Sequence, residues 1–346
     1  MYTEYYNLKT MPFQLTPDHH FFFESREHSR AISHLVYGLA QEEGFVVITG
    51  DIGAGKTMLV ERLWSQLDEQ RYLATRILTT QISGDDLLKM VARGFAAAFV
   101  PAAKQGDDLL KMVARGFGLR IDTMDKPELL LLLERLFAEK QGLGKRFLLI
   151  VDEAQNLPFT ALEELRMLSN ITIAGRAPFQ GVLLGQPQFR RMLADAGLEQ
   201  LRQRVIASYH LGPLSQEDTG NYVRHRLTTA GWTGNPSFDD AAFAAIHRYS
   251  EGIPRKINTL CSRVLLYGYL EEKRDIDAAI VEEVAEELRR DLAAGLSGHG
   301  SDATLNGELQ HSIDQRLFSL ETAVDRHDKV IKRALEIAAR LLEGRV

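Results

Sequence analysis

Eight residues constrain this chain more than any other feature: Gly50-Asp51-Ile52-Gly53-Ala54-Gly55-Lys56-Thr57. Their spacing is G-x-x-x-x-G-K-[ST], and each residue type has a physical reason to be there. The glycines let the backbone curl tightly, so that successive N–H groups point inward at an anion. The β-branched run Gly44 to Thr49 reads as a buried parallel strand leading into the loop. Thr57 to Leu67 reads as the helix leaving it, with its positive end aimed at the same point. A lysine in this place reaches the β- and γ-phosphates of a nucleoside triphosphate, and the following hydroxyl ligates Mg²⁺. ATP and Mg²⁺ are therefore the expected ligands. They would be held by Gly50, Asp51, Ile52, Gly53, Ala54, Gly55, Lys56, Thr57 and Met58.

A second apolar run, Arg146 to Val151, ends in Asp152-Glu153. A carboxylate at the carboxyl end of a strand beside the loop can join the Mg²⁺ shell, so Asp152 is expected on the metal with Thr57. Glu153 then orients or deprotonates an attacking water, as the catalytic base of Mg-dependent ATP hydrolysis. A third run, Gly181 to Gly185, completes a set of strands separated by helical patterns, one of them His28 to Leu39. The expected fold class is α/β: a P-loop NTPase parallel sheet with flanking helices. From about Leu214 to Leu288 the helical period dominates, which predicts an all-helical lid.

Further candidates follow the third strand. Gln186, in Gly185-Gln186-Pro187, has a polar side chain able to sense a γ-phosphate, although such a turn is also built for structural reasons alone. Arg255, in Gly252-Ile253-Pro254-Arg255, opens a lid helix and can swing onto the phosphates; a solvated helix-start charge is the alternative. Arg202 and Arg204 precede the strand-like Ile206 to Leu211. Either can serve a neighbouring subunit as an arginine finger, Arg204 being favoured, and either can be an ordinary surface arginine.

Composition excludes several classes. The net charge of −6 gives no global basic field for nucleic acid, although a local basic face remains compatible with it. A single cysteine, Cys261, rules out a disulfide within the chain and suits a reducing compartment. The opening MYTEYYNLKTMPF lacks a basic segment followed by an apolar one, and no run approaches a membrane span. A cytoplasmic protein is expected, at most peripheral to the inner membrane through a partner.

The chain is expected to divide into an aromatic, extended lead-in (1–27), the core (28–212), the lid (213–290), a linker (291–306) and a heptad-like helix (307–346). That last helix suits self-association or docking on its own chain equally well. Within the core, Gly84 to Phe95 recurs identically as Gly106 to Phe117, a tandem duplication spanning 84–117. Such a region is expected to lengthen or add a surface helix without disturbing the core.

Taken together, these motifs resemble the AAA+ ATPases of the ExeA/GspA kind, found with bacterial secretion, exopolysaccharide and exosortase clusters. The resemblance is carried by Tyr5-Tyr6-Asn7-Leu8, Leu15-Thr16-Pro17-Asp18, the Gly50–Thr57 loop and Val151-Asp152-Glu153-Ala154-Gln155. Glu164-Leu165-Arg166, Gly185-Gln186-Pro187, Tyr209-His210-Leu211 and Gly252 to Asn258 extend it over about residues 1 to 288. It implies an AAA+ core with lid, a homo-oligomeric ring or partial ring, and ATP-driven assembly or regulation of an envelope export partner. Secretion-branch members often add a membrane span and a peptidoglycan-binding portion, which this sequence does not show. The branch is also similar to transposition ATPases of the MuB and TniB kind, for which DNA would be the partner. The acidic balance disfavours that alternative.

Overall fold

The computed structural model describes residues 2–16, 18–78, 106–119 and 126–297. Five strands form one parallel sheet: β1 (Phe45–Gly50), β2 (Tyr72–Leu78), β3 (Arg146–Asp152), β4 (Phe179–Gly185) and β5 (Val205–Leu211). Their order is β2-β3-β4-β1-β5. Every residue of β1 and β4 is buried, because helices cover both faces and leave no polar side.

Period-2 alternation sorts the side chains between two cores. Val46, Ile48, Leu148, Ile150, Val182 and Leu184 pack on one face with α2 (Arg26–Ala40) and α3 (Lys56–Gln66). Phe45, Val47, Phe147, Leu149, Val151, Phe179 and Leu183 pack on the other. There they meet α4 (Gly106–Gly116), α5 (Lys126–Gly142) and α6 (Phe159–Ser169). Each fully buried Leu, Ile or Phe contributes about 2 kcal/mol of burial free energy.

The second copy of the repeat is α4, and it is a core helix, which corrects the expectation of a dispensable surface one. Leu109, Leu110, Val113 and Ala114 are wholly buried, and Phe117 packs edge-on against Phe147 at 4.9 Å. The i, i+1, i+4, i+5 spacing of those four residues gives the helix one continuous apolar stripe. The first copy, Gly84 to Phe95, lies outside the described residues.

Two further differences concern the sheet. Strand β2 was not anticipated: Tyr72-Leu-Ala-Thr-Arg-Ile-Leu78 is an edge strand, with a charge and small residues that hide its alternation. In addition, β3 is not the immediate neighbour of β1, because β4 runs between them.

Two short helices, α7 (Pro187–Leu193) and α8 (Glu199–Arg202), lie between β4 and β5, and four longer ones follow β5. These are α9 (Gln216–Thr229), α10 (Asp240–Ser250), α11 (Pro254–Leu270) and α12 (Ala278–Ser297). Side chains of Ser215 and Asp239 cap α9 and α10 by accepting from Asp218 N and Ala242 N. A two-residue parallel ladder, Ser237–Phe238 with Asp275–Ile276, ties the helices together and is the one β element that the helical pattern concealed.

The lead-in is not extended throughout. Residues Tyr2–Tyr5 form a helical turn (α1), and the lead-in docks on the lid helices. Tyr6 Oη donates to Lys273 O at 3.0 Å, and Arg226 Nε donates to Pro12 O at 2.6 Å. The chain forms two compact units, Met1–Val284 and Ala285–Val346. In the second, the described residues are helical through Ser297, past the point where composition placed the start of a linker. The heptad-like segment 307–346 lies outside the described residues.

Candidate functional site

The eight-residue loop joins the carboxyl end of β1 to α3. Gly53 and Gly55 have φ of +84° and +100°, values an L side chain rarely adopts. Space is equally restrictive: a Cβ on Gly55 would lie 2.6 Å from His28 Nε2, and one on Gly53 would lie 2.4 Å from Arg255 Cβ. Lys56 is buried and its Nζ donates to Gly50 O at 2.7 Å and Asp51 O at 2.9 Å, so the ammonium is folded into the loop. Burial pulls its pKa down, opposed by the carboxylates of Glu153, Asp152 and Asp51. Ala54 is buried in the α2/α3 core, Ile52 is exposed, and Met58 and Thr57 line the cleft beside the loop.

Across β4, the end of β3 reaches the same place. Thr57 Oγ1 donates to Asp152 Oδ2 at 3.5 Å, bringing together the two residues expected on Mg²⁺. Asp152 is buried and also holds Arg76 of β2, whose Nη2 lies 2.6 Å from Oδ2. Glu153 leaves the strand in the left-handed region, φ 55° and ψ 43°, which turns the chain into the 3-10 turn Ala154–Asn156. Its Oε2 accepts from Gln186 Nε2 at 3.0 Å and from Gln155 Nε2 at 2.5 Å. The expected base and the expected phosphate sensor are therefore in direct contact.

Arg255 is brought to the loop as well. Its backbone N–H donates to Gly53 O at 3.3 Å, and its side chain lines the cleft. Arg204 is not brought there. Its Nη2 donates to Asn170 Oδ1 at 2.6 Å, and its carbonyl accepts from Phe45 N, at the opposite end of β1 from the loop. Arg202 is engaged with Glu199. Within its own chain neither arginine can act on a ligand at Lys56.

The cleft itself has a volume of about 250 Å³ and runs from the loop to the aromatic lead-in and the lid. Phe21, Phe22, His28, Tyr222, Arg226 and Asn258 line its walls beside the loop residues. His28 stacks edge-on with Phe22 at 5.7 Å, and its Nδ1 is 2.7 Å from Ser25 Oγ. Burial lowers the His28 pKa to about 4, so the ring is neutral at pH 7. Arg226 donates to Tyr222 Oη, which donates in turn to Asn258 Oδ1 at 2.9 Å. Sequence reasoning missed His28, Gln155 and Arg76. Arg76 was the legible one, as the single charge in an otherwise uncharged run.

The chain is similar to known proteins in sequence and in fold. Residues 39–193 match the sequence pattern described as the AAA domain. This chain carries an AAA domain. It is also 37% identical over 269 residues to general secretion pathway protein A of Aeromonas hydrophila, covering 78% of this chain. The chain spans 45% of that relative's length. The same AAA+ fold is found in the ORC2 protein of Aeropyrum pernix, at 12% identity with a TM-score of 0.54, covering 90% of this chain and 89% of that one. Cdc6p of Pyrobaculum aerophilum gives 13% identity and a TM-score of 0.56, covering 79% and 71%. The resemblance expected from the motifs therefore holds, for the fold and for the kinship with general secretion pathway protein A.

The residues present suit ATP and Mg²⁺. A side chain on Gly53 or Gly55 would fill the cradle, and Thr57 with Asp152 offers the hard oxygen donors that Mg²⁺ takes. Among the described residues no group of three His, Cys, Asp or Glu offers an all-protein metal cage, which a cation shared with phosphates does not need. No described helix is long and apolar enough to cross a membrane.

Proposed function

We propose that this chain is an ATPase of the AAA+ type, which binds ATP with Mg²⁺ and hydrolyses it to ADP and phosphate. The observation carrying the proposal is the convergence of Lys56, Thr57 and Glu153 on one side of a cleft whose other wall is the lid, with Asp152 bonded to Thr57 and Gln186 to Glu153. Lys56 leaves the Gly50 and Asp51 carbonyls to meet the β- and γ-phosphates. Thr57 and Asp152 hold Mg²⁺, which when bound neutralises charge developing on the phosphate oxygens. Glu153 orients and deprotonates the attacking water. Gln186 and Arg255 contact the γ-phosphate from the turn after β4 and from the lid. The aromatic end of the cleft, with Phe22 and the neutral His28 ring, receives the adenine.

Since Arg204 faces away from its own loop, its role is in trans, on the nucleotide of a neighbouring copy in a ring or partial ring. The chain acts in the cytoplasm, at most peripheral to the inner membrane. Its work is to assemble or regulate an envelope export system of the secretion or exopolysaccharide type; the similarity to general secretion pathway protein A of Aeromonas hydrophila supports the first of these.

ATPase turnover of the purified chain, with and without duplex DNA, tests this alongside Lys56→Ala and Glu153→Gln. Turnover indifferent to DNA and lost in both variants supports the proposal. Turnover strongly stimulated by DNA, with the stimulation lost at high salt, replaces the export partner with nucleic acid. Turnover intact in Glu153→Gln removes Glu153 as the base.

A further inference from the structure

Gln155 follows the two acidic residues Asp152 and Glu153 and has no assigned part in binding nucleotide or metal, yet its side-chain amide closes a ring of hydrogen bonds at the centre of the site. Its Oε1 accepts from the backbone N–H of Gln186 at 3.0 Å. Its Nε2 donates to Glu153 Oε2 at 2.5 Å. The orientation of the amide is determined by its partners: a backbone N–H accepts nothing, so the oxygen must face it and the nitrogen must face the carboxylate. The same Glu153 oxygen receives Gln186 Nε2 at 3.0 Å. Gln186 is the N-cap residue of α7 but spends no side-chain bond on capping it, which leaves its amide for Glu153.

These contacts have a mechanical consequence. Glu153 sits on a turn that departs from β3 in the left-handed region, whereas Gln186 sits on a different turn, after β4. Between the strands that carry them, the backbone ladder ends at Val151 with Leu183. Beyond that ladder Gln155 supplies the side-chain link, bonded to a backbone atom at one end and a carboxylate at the other. When the Gln186 amide turns toward a phosphate, Glu153 loses one of these two glutamine donors and keeps the other. The carboxylate is then still tethered to the turn that has sensed the ligand.

Resting on the hydrolytic reading above, we propose that Gln155 is a positioning residue, which couples the turn at Gln186 to the placement of Glu153. It touches neither substrate nor reacting atoms.

Two variants separate this role from simple support of the fold. Gln155→Ala removes both bonds. Gln155→Glu keeps an acceptor for the Gln186 N–H but removes the donor to Glu153 and sets a like charge beside it. The measurements are kcat and KM, affinities for ATPγS and ADP by fluorescence, and hydrogen exchange at the Gln186 amide. Both variants should lose about a hundredfold in kcat, the scale of a misplaced catalytic group, with KM and both affinities within twofold of wild type. Gln186 exchange should accelerate in Gln155→Ala and remain protected in Gln155→Glu. Combining Gln155→Ala with Gln186→Ala should be no worse than the more damaging single change.

Wild-type turnover in Gln155→Glu overturns the proposal, as does strict additivity with Gln186→Ala. A wild-type chain that binds ATPγS through Lys56 but never turns over overturns the hydrolytic reading, and this inference with it. The two failures are distinct, because the first needs an active parent.

Discussion

Arg76 and Asp152 meet at 2.6 Å across the β2–β3 ladder, both largely out of solvent, with β4 between them and the strand that feeds the nucleotide loop. The pair gives the carboxylate at the end of β3 a fixed cationic neighbour in addition to Thr57.

Removing one member should cost more than removing both. Arg76→Met leaves a buried carboxylate without its cation and should destabilise the protein by about 3 kcal/mol. Adding Asp152→Asn to that variant should restore part of the loss, since no charge is then buried. Urea unfolding of the two single variants and the double variant measures this, and a double-variant loss equal to the sum of the two single losses would show that the pair does not interact.

The loop should reject the smallest possible side chain. Gly55→Ala places a methyl group 2.6 Å from His28 Nε2 at a φ of +100°. Backbone strain alone costs about 2 kcal/mol, and the clash adds to it. Fluorescent ATP analogue binding should be lost. His28→Ala combined with Gly55→Ala should recover the steric part of the stability loss and leave the strain.

His28 should make stability fall in mild acid. Its folded pKa is about 4, against an ordinary 6.5, because burial penalises the imidazolium. Between those values the unfolded chain binds a proton that the folded chain refuses. Stability contributed by this group is therefore intact above pH 6.5 and declines as the pH falls toward 4, by on the order of 3 kcal/mol in all. Thermal melts from pH 7.5 to 4.5, compared with His28→Gln, should show a shallower decline in the variant. Identical slopes would contradict the assignment.

Deleting residues 84–105 should leave the core helix intact, because Ser83 then runs directly into Gly106 to Phe117, the copy that forms α4 and continues into Gly118. The connection after Leu78 shrinks from 79–105 to 79–83, within the usual range for a strand-to-helix loop. A deleted chain that melts at or above the parent temperature meets the expectation. A large loss would mean that the first copy has a structural task of its own.

How much of this was legible in the sequence differs by element. Strands β1, β3 and β4 are buried on both faces, so their apolar runs were plain, and so were the glycines of the loop. Edge strand β2 was not, for its alternation is broken by Ala74, Thr75 and Arg76. Lys56, Thr57 and Asp152 could be found because phosphate and Mg²⁺ chemistry requires their types at fixed spacing. Gln155 and His28 could not, since a glutamine two residues after an acid and a histidine in an amphipathic helix have no necessary chemistry. Their meaning arises only when β4 brings Gln186 to Glu153, and when α2 lays His28 against Gly55.

The bond from Arg255 N–H to Gly53 O joins lid to loop through main-chain atoms at both ends. Substituting the arginine side chain can therefore abolish whatever its guanidinium does while leaving that mechanical hinge whole. Reach and leverage are separately heritable here: the lid could drift in sequence, exchange its charge or lose it, and still feel each movement of the loop beneath it.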